Sequence, residues 1–167
     1  MRQVMSNVEQ ILAAVVLLSS GTQGHAAPAS RCSEAELVVF SCSTGKNLAS
    51  VCLAASGALQ YRFGTIGEAP KWVYPAKPEG TNAAFRFQVQ DRSAKGSISN
   101  LQFNDLATTY TIYRFAHSFE GNYAGIAIAE PNKPLKRLAC KESSVVATFS
   151  RPEVERLGPV SPVAIVE

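Results

Sequence analysis

Few residues in this chain are of the types that carry acid–base or nucleophilic chemistry. The chain has two histidines; His25 precedes a predicted cleavage site, so His117 is the imidazole that a processed chain would keep. A Ser-His-Asp arrangement depends on such an imidazole, but neither a Gly-x-Ser-x-Gly elbow nor a His-Glu-x-x-His helix occurs in the sequence. His117 follows a predicted strand and precedes a Gly-Asn pair, which favours a solvated loop residue. We therefore predict that the protein is not an enzyme.

Two glutamate pairs have a spacing that places both side chains on one face of an extended chain. They are Glu34 with Glu36, and Glu153 with Glu155. Paired carboxylates can hydrolyse glycosidic bonds when they lie on the two sides of a cleft about 5–10 Å wide. Neighbouring glutamates on one strand are more often solvated, so we expect no catalytic carboxylate pair and no cofactor.

The chain has four cysteines, and they are Cys32, Cys42, Cys52 and Cys140. Their wide spacing and the scarcity of histidine match no zinc-ligand pattern, so we expect no metal site. An even number of cysteines in an exported chain indicates disulfide bonds instead. We predict two disulfides that stabilise the fold.

The first predicted hairpin narrows the disulfide pairing. If Ser43–Asn47 forms its loop, Cys42 and Cys52 share a face but lie about four residues apart, beyond the ~4.4–6.8 Å that a disulfide allows between Cα atoms. Cys32 enters near the end of the hairpin where Cys52 lies, and Cys140 comes from a distant strand, so we predict the pairs Cys32–Cys52 and Cys42–Cys140. The alternative is Cys32–Cys42 with Cys52–Cys140. A different turn length would change the relative faces of the cysteines.

The N-terminal residues predict the compartment. Arg2 supplies a positive charge, Ile11–Leu18 is an unbroken apolar run, and small residues follow up to Ala26 or Ala29. This order is typical of a secretory signal peptide, and the apolar run is shorter than the ~20 residues that span a bilayer. We predict a signal peptide over residues 1–26 and a periplasmic or secreted protein with no transmembrane span in the mature chain.

Composition argues against two classes of partner. The chain carries 16 basic and 13 acidic residues, for a formal net charge of +3, and these charges are interspersed. Nucleic-acid-binding stripes and polybasic membrane anchors require clustered charge of one sign. A processed chain of about 140 residues is long enough for one domain with a hydrophobic core.

Short apolar runs alternate with turn clusters along the rest of the chain. The clearest strand is Ala84–Gln90, where apolar and polar side chains alternate. About eight to ten such strands, spaced by roughly 10–14 residues, are typical of an antiparallel sandwich or barrel. We predict an all-β fold, a single-domain antiparallel β-sandwich or small meander barrel, over residues 27–150. A Pro-containing extended or disordered tail is expected over residues 151–167.

Aromatic residues and arginines interleave in three predicted strands, which contain Tyr61-Arg62-Phe63, Phe85-Arg86-Phe87 and Tyr113-Arg114-Phe115. The alternation predicts core aromatic residues and outward arginines. If the strands are neighbours, Arg62, Arg86 and Tyr113 form one outer face with nearby glutamines, a composition favoured at protein interfaces. Trp72 and Tyr74, beside a proline-rich loop, are a second candidate patch that suits stacking on a glycan. A core position is the alternative for the single tryptophan.

A further candidate is the loop that follows the second predicted strand. The segment Ser56-Gly57-Ala58-Leu59-Gln60-Tyr61 is close to a Ser-Gly-x-x-Tyr motif but has one more residue before the tyrosine. A small exported β-domain with this loop and cysteines near both ends resembles the bacterial periplasmic lysozyme inhibitors. Those are compact antiparallel β-proteins that plug a lysozyme cleft with the motif loop. The resemblance implies that Ser56, Gly57 and Tyr61 contact a target enzyme, although one extra residue turns a strand side chain to the opposite face.

These features predict an exported binding protein that engages another envelope or secreted protein as an inhibitor or immunity-type factor. One alternative is a carbohydrate- or small-ligand-binding periplasmic module. Another is a non-catalytic component of envelope assembly. The expected partner is therefore a protein of the envelope or extracellular space, with a glycan as the second choice.

Overall fold

The computed structural model describes residues 29–78, 82–117, 119 and 121–159. Within these residues the chain forms short 3-10 turns at Ser93–Lys95 and Glu142–Ser144 and one helical turn, α1, at Pro152–Glu155. The predicted signal peptide, residues 1–26, lies outside the described part. The strands are β1 Leu37–Thr44, β2 Asn47–Leu53, β3 Leu59–Thr65, β4 Trp72–Tyr74, β5 Phe85–Asp91, β6 Gly96–Asp105, β7 Thr108–His117, β8 Gly121–Ala129, β9 Lys136–Ala139 and β10 Val146–Ala147.

The strands form two antiparallel sheets of five strands each. The first sheet has the order β10-β1-β2-β3-β4, and the second has the order β5-β6-β7-β8-β9. One hydrophobic core contains buried side chains from both, such as Val39 and Leu59 from the first sheet and Leu101 and Ile112 from the second. Burying one apolar face of each sheet against the other is what stabilises such a pair. The predicted all-β antiparallel fold is confirmed, in its sandwich form.

The two sheets differ in how well their alternating pattern shows in the sequence. In β5, Phe85 and Phe87 are buried while Arg86 between them is exposed, as expected for a strand with one solvated face. Strand β2 is buried almost throughout, because the segment before β1 covers its outer face. There the backbone N–H of Arg31 donates to Ser50 Oγ at 2.9 Å, and Ser41 Oγ donates to the carbonyl of Ala29 at 2.9 Å.

Both predicted disulfides are present. Cys32–Cys52 attaches the segment before β1 to β2. Cys42–Cys140 joins β1 to the residue after β9, so it links the two sheets and closes a loop with a sequence separation of 98. In the chain-entropy model, closing a loop of that length is worth about 4–5 kcal/mol. Disulfides of this kind are consistent with a protein of an oxidising compartment.

The turn length assumed for the β1–β2 hairpin was wrong, although the predicted disulfide pairing was correct. Strands β1 and β2 continue to Thr44 and Asn47, so the turn has two residues, Gly45 and Lys46, and Cys42 pairs with Ala49. A β-bulge between Val38 and Phe40 then shifts the register. Cys42 therefore faces the core, while Cys52 lies on the covered outer face of the sheet beside Cys32.

The segment after residue 150 is not an extended or disordered tail up to Pro159. Val154 of α1 is fully buried, and the N–H of Phe87 donates to the carbonyl of Gly158 at 2.8 Å. Gly158 thus forms a parallel bridge with the edge strand β5, beside Arg86, and satisfies part of an otherwise open strand edge. Residues 160–167 of the predicted tail lie outside the described part. Among the described residues no helix is long and apolar enough to cross a membrane.

Candidate functional site

The β2–β3 loop carries Ser56 and Gly57 at one end of the sandwich. The N–H of Ala54 donates to the carbonyl of Ala58 at 2.9 Å, and the N–H of Gly57 donates to the carbonyl of Ala54 at 2.8 Å. Gly57 has a φ of 82°, which glycine adopts without strain. Ser56 is exposed at the tip of this tight loop, where it is available to a partner.

Asn82, in the connection between β4 and β5, holds the base of this loop. Its Nδ2 donates to the carbonyl of Gly57 at 2.7 Å, and its Oδ1 accepts from the N–H of Leu59 at 2.7 Å. An asparagine amide can donate and accept at the same time, so one side chain fixes both sides of the turn. Sequence reasoning missed Asn82, because nothing in the local pattern indicates that a residue so far along the chain returns to the β2–β3 loop.

A shallow cleft of about 360 Å³ lies beside Asn82. Arg86 of β5 borders it, and its Nη1 donates to the carbonyl of Ala83 at 2.7 Å and of Phe85 at 2.9 Å. Glu153 and Arg156, from α1 and the residue after it, also line the cleft. Asn82 therefore connects the predicted Gly57 to the cleft that contains the predicted Arg86, and the cleft adds charged residues from a segment that was expected to be a tail.

Arg62 does not belong to this cleft. Its Nη1 and Nη2 donate to the two carboxylate oxygens of Glu36, each at 2.7 Å, and its Nη1 donates to the carbonyl of Arg31 at 2.8 Å. The hydrogen bonds from Arg62 hold the pKa of the Glu36 carboxyl below its ordinary value, against the opposing effect of burial. The prediction that Arg62 and Arg86 share one face is wrong, because β3 and β5 lie in different sheets.

Tyr61 and Tyr113 are buried, with 2 % and 6 % of their surfaces exposed. Tyr61 is a core residue, which takes it out of the candidate binding surface, and desolvation raises the pKa of its phenol. Tyr113 lies on the outer face of the second sheet, where its ring sits over Gly125: a Cβ at that glycine would be 2.4 Å from the Tyr113 hydroxyl. Neither ring is presented to a partner.

Trp72 and Tyr74 of β4 are partly buried in an aromatic cluster. The centroid of the Trp72 ring lies 4.6 Å from that of Tyr110, and the Tyr74 ring stacks at 4.8 Å on Phe103. The hydroxyl of Tyr74 donates to the carbonyl of Asn104. Trp72 therefore fits the core position better than a glycan-stacking patch, because neighbouring aromatic rings pack against its own ring.

An aromatic row that the sequence analysis missed lies at the β7–β8 turn. Phe115 contacts Tyr123 at a centroid distance of 4.8 Å and His117 at 5.3 Å, and His117 contacts Phe119 at 6.2 Å. Phe119 is 85 % exposed, and its N–H donates to His117 Nδ1 at 3.1 Å. The sequence contained an indication of this row, because Phe115, His117 and Phe119 are spaced two residues apart, as side chains on one strand face are. It was missed because His117 was interpreted as a solvated loop residue.

Among the described residues, no group of three or more His, Cys, Asp and Glu side chains could hold a metal ion. Comparison with known proteins adds no further assignment: no family model matches the chain, and neither a curated protein nor a solved structure matches it.

Proposed function

We propose that this protein is an exported, non-catalytic binding module that engages another envelope or secreted protein as an inhibitor or immunity-type factor. The observation that carries the proposal is the β2–β3 loop, whose tip at Ser56 is exposed while its backbone is held internally and by Asn82. An exposed loop that is already ordered loses little conformational entropy when a partner binds. Inhibitors that present such loops change little in backbone conformation between the free and bound states.

The charges beside the loop support a protein partner. Arg86 is exposed, and two backbone carbonyls hold its guanidinium, while Glu153 and Arg156 line the same cleft. Neighbouring charges of both signs favour one orientation of a partner and disfavour others. The resemblance to periplasmic lysozyme inhibitors assigned Ser56 and Gly57 to the contact, and we keep both residues in the proposed interface without Tyr61.

The test is an affinity capture with the oxidised protein, expressed from the full-length sequence, against envelope and muramidase-containing extracts. Bound proteins are identified by mass spectrometry, and any captured enzyme is assayed at increasing ratios of inhibitor. We expect one stoichiometric protein partner and, if it is an enzyme, loss of its activity at a one-to-one ratio. A folded bait that captures no protein contradicts the proposal.

Two exposed alanines provide a matched pair of variants. Ala55 lies at the tip of the β2–β3 loop, and Ala69 lies in the β3–β4 connection at the other end of β3. Ala55→Arg is expected to weaken capture at least about tenfold, because a bulky charge at the centre of an interface prevents close contact. Ala69→Arg should leave capture unchanged, and an equal loss in both variants would place the interface elsewhere.

A carbohydrate-binding function is the second candidate, and the two exposed rings of the aromatic row favour it. Aromatic rings present apolar faces that suit sugar rings, with polar groups at their edges, and Phe119 and Tyr123 are both exposed at the β7–β8 turn. Titration with soluble peptidoglycan fragments tests it. Tyr123→Ala should then abolish binding, whereas Leu106→Ala, an exposed apolar residue at the opposite end of β7, should not.

A further inference from the structure

The two sheets separate beyond the hydrophobic core and leave a cleft between them. Two adjoining cavities of about 280 Å³ and 190 Å³ lie there, and both are lined by Arg114 and Ala147. Strand β10 contributes only Val146–Ala147 to the first sheet, so it covers little of the second sheet. Val89 shows the result: it lies on the same face of β5 as Phe85 and Phe87 but is 55 % exposed.

Arg114 points into this cleft, and this corrects the prediction of an outward arginine. The register of β7 is continuous against both of its neighbours, and Ile112 belongs to the core between the sheets. Since alternate residues of a strand share a face, Arg114 lies on the inner face. We call this space, with its lining of Arg114, Ala147, Phe87, Phe149, Glu142 and Glu155, the Arg114 cleft.

Arg114 as a residue is partly buried, and its guanidinium has no hydrogen bond or ion pair with any residue of the described part of the chain. A guanidinium carries five donors, and partial burial removes some of the water that would otherwise satisfy them. An arginine without a protein partner in such a position is suited to bind a carboxylate or phosphate through two parallel hydrogen bonds.

The remaining lining restricts the ligand. Glu142 borders one cavity and Glu155 the other, so the formal charge of the three charged groups, with Arg114, is negative. The two carboxylates repel a multiply charged phosphate more strongly than a singly charged carboxylate, and a carboxylate can still pair with the guanidinium fork. Phe87 and Phe149, whose ring centroids are 5.7 Å apart, provide an apolar wall beside the cation.

We propose that the Arg114 cleft binds the carboxylate of a peptide in which a neighbouring side chain is apolar or aromatic. The carboxylate accepts two hydrogen bonds from Arg114, and the apolar group lies against Phe87 and Phe149. Register places Arg114 opposite Ser99, near the β5–β6 turn, whereas Asn82 and the β2–β3 loop lie near the start of β5. The cleft is therefore separate from the proposed loop interface and does not depend on it.

The test uses small probes and NMR on the oxidised, isotope-labelled protein. N-acetyl-phenylalanine presents a terminal carboxylate, acetyl-Phe-Asp-amide presents a side-chain carboxylate, and N-acetyl-phenylalaninamide presents none. We expect saturable shifts around Ala147 and the Arg114 side chain with at least one acid, and affinity at least about tenfold lower for the neutral amide. The acid that binds more tightly identifies whether a chain terminus or a side chain is the source.

Variants complete the test. Arg114→Met should remove the binding, and Arg114→Lys should retain part of it, because lysine keeps the charge but loses the planar fork. Lys77→Met removes the same charge from an exposed loop and should bind as the unaltered protein does. Equal affinity for acid and amide, binding that survives Arg114→Met in a folded protein, or no shifts with either acid at about 10 mM would each overturn the proposal. Loop variants such as Ala55→Arg should leave it unaffected.

Discussion

The tripeptide Tyr-Arg-Phe occurs in β3 at Tyr61-Arg62-Phe63 and in β7 at Tyr113-Arg114-Phe115, and the two copies face opposite ways. In β3 the tyrosine is in the core and Arg62 is on the outer face, bound to Glu36. In β7 the tyrosine is on the outer face and Arg114 points between the sheets.

Local sequence therefore does not decide which face of these two strands is buried. Both faces of β7 carry apolar residues, with Ile112 on the inner side and Tyr113 and Phe115 on the outer side. The alternation of apolar and polar residues therefore does not indicate which face of β7 lies in the core. The neighbouring strands determine which face is buried. As a result one arginine is paired with Glu36, and the other has no partner among the described residues.

The largest expected effect comes from the inward tyrosine. Tyr61→Ala removes a fully buried ring whose centroid lies 5.1 Å from that of Phe103, and we expect a loss of about 3–5 kcal/mol in the free energy of unfolding. Equilibrium urea unfolding of the oxidised protein measures it. Tyr61→Phe is the matched control, and a loss below about 1 kcal/mol for Tyr61→Ala would contradict the core position.

The bound arginine should have the next largest effect. Arg62→Met leaves the partly buried Glu36 carboxylate without its bidentate partner, and we expect a destabilisation of about 1–3 kcal/mol. The double variant with Glu36→Gln should recover part of that loss, because no unpaired charge remains. If the double variant instead loses as much stability as the two single variants together, the two residues are not coupled.

The same pair predicts a pH dependence. The pKa of Glu36 is lowered in the folded protein from its ordinary value of 4.5, so the unfolded chain binds its proton more readily than the folded one. The stabilisation is therefore complete above pH 4.5 and is lost as the pH falls through the folded pKa. Urea unfolding between pH 7 and pH 3 should show a steeper loss of stability in the unaltered protein than in Glu36→Gln.

The smallest expected effect belongs to the second arginine. Arg114→Met removes a guanidinium that has no partner among the described residues, and it adds apolar surface near Phe87 and Phe149. We expect the free energy of unfolding to change by less than about 1 kcal/mol, in either direction. A loss as large as that of Arg62→Met would contradict the contrast between the two strands.

Several features were correctly predicted because they depend on properties that repeat along the chain. Alternation in β5 identified Phe85 and Phe87 as buried residues and Arg86 as exposed. The disulfide pairing was also predicted correctly, although from a wrong turn length. Other errors have specific causes: the covered face of β2 depends on Arg31 and Ala29, and the docking of α1 depends on Val154 filling a space beside β5.

The class of fold and the number of disulfides could be predicted from the sequence, because strand periodicity, turn residues and cysteine count are local properties. The sequence also indicated the exposed Ser56–Gly57 loop, since a turn is specified by its own residues. The assignment of strands to sheets, which separates Arg62 from Arg86, could be seen only in the folded structure. The same holds for the two hydrogen bonds by which Asn82 holds the loop. The positions of these residues depend on contacts between parts of the chain that are distant in sequence. The free energy of such contacts cannot be inferred from any one segment alone.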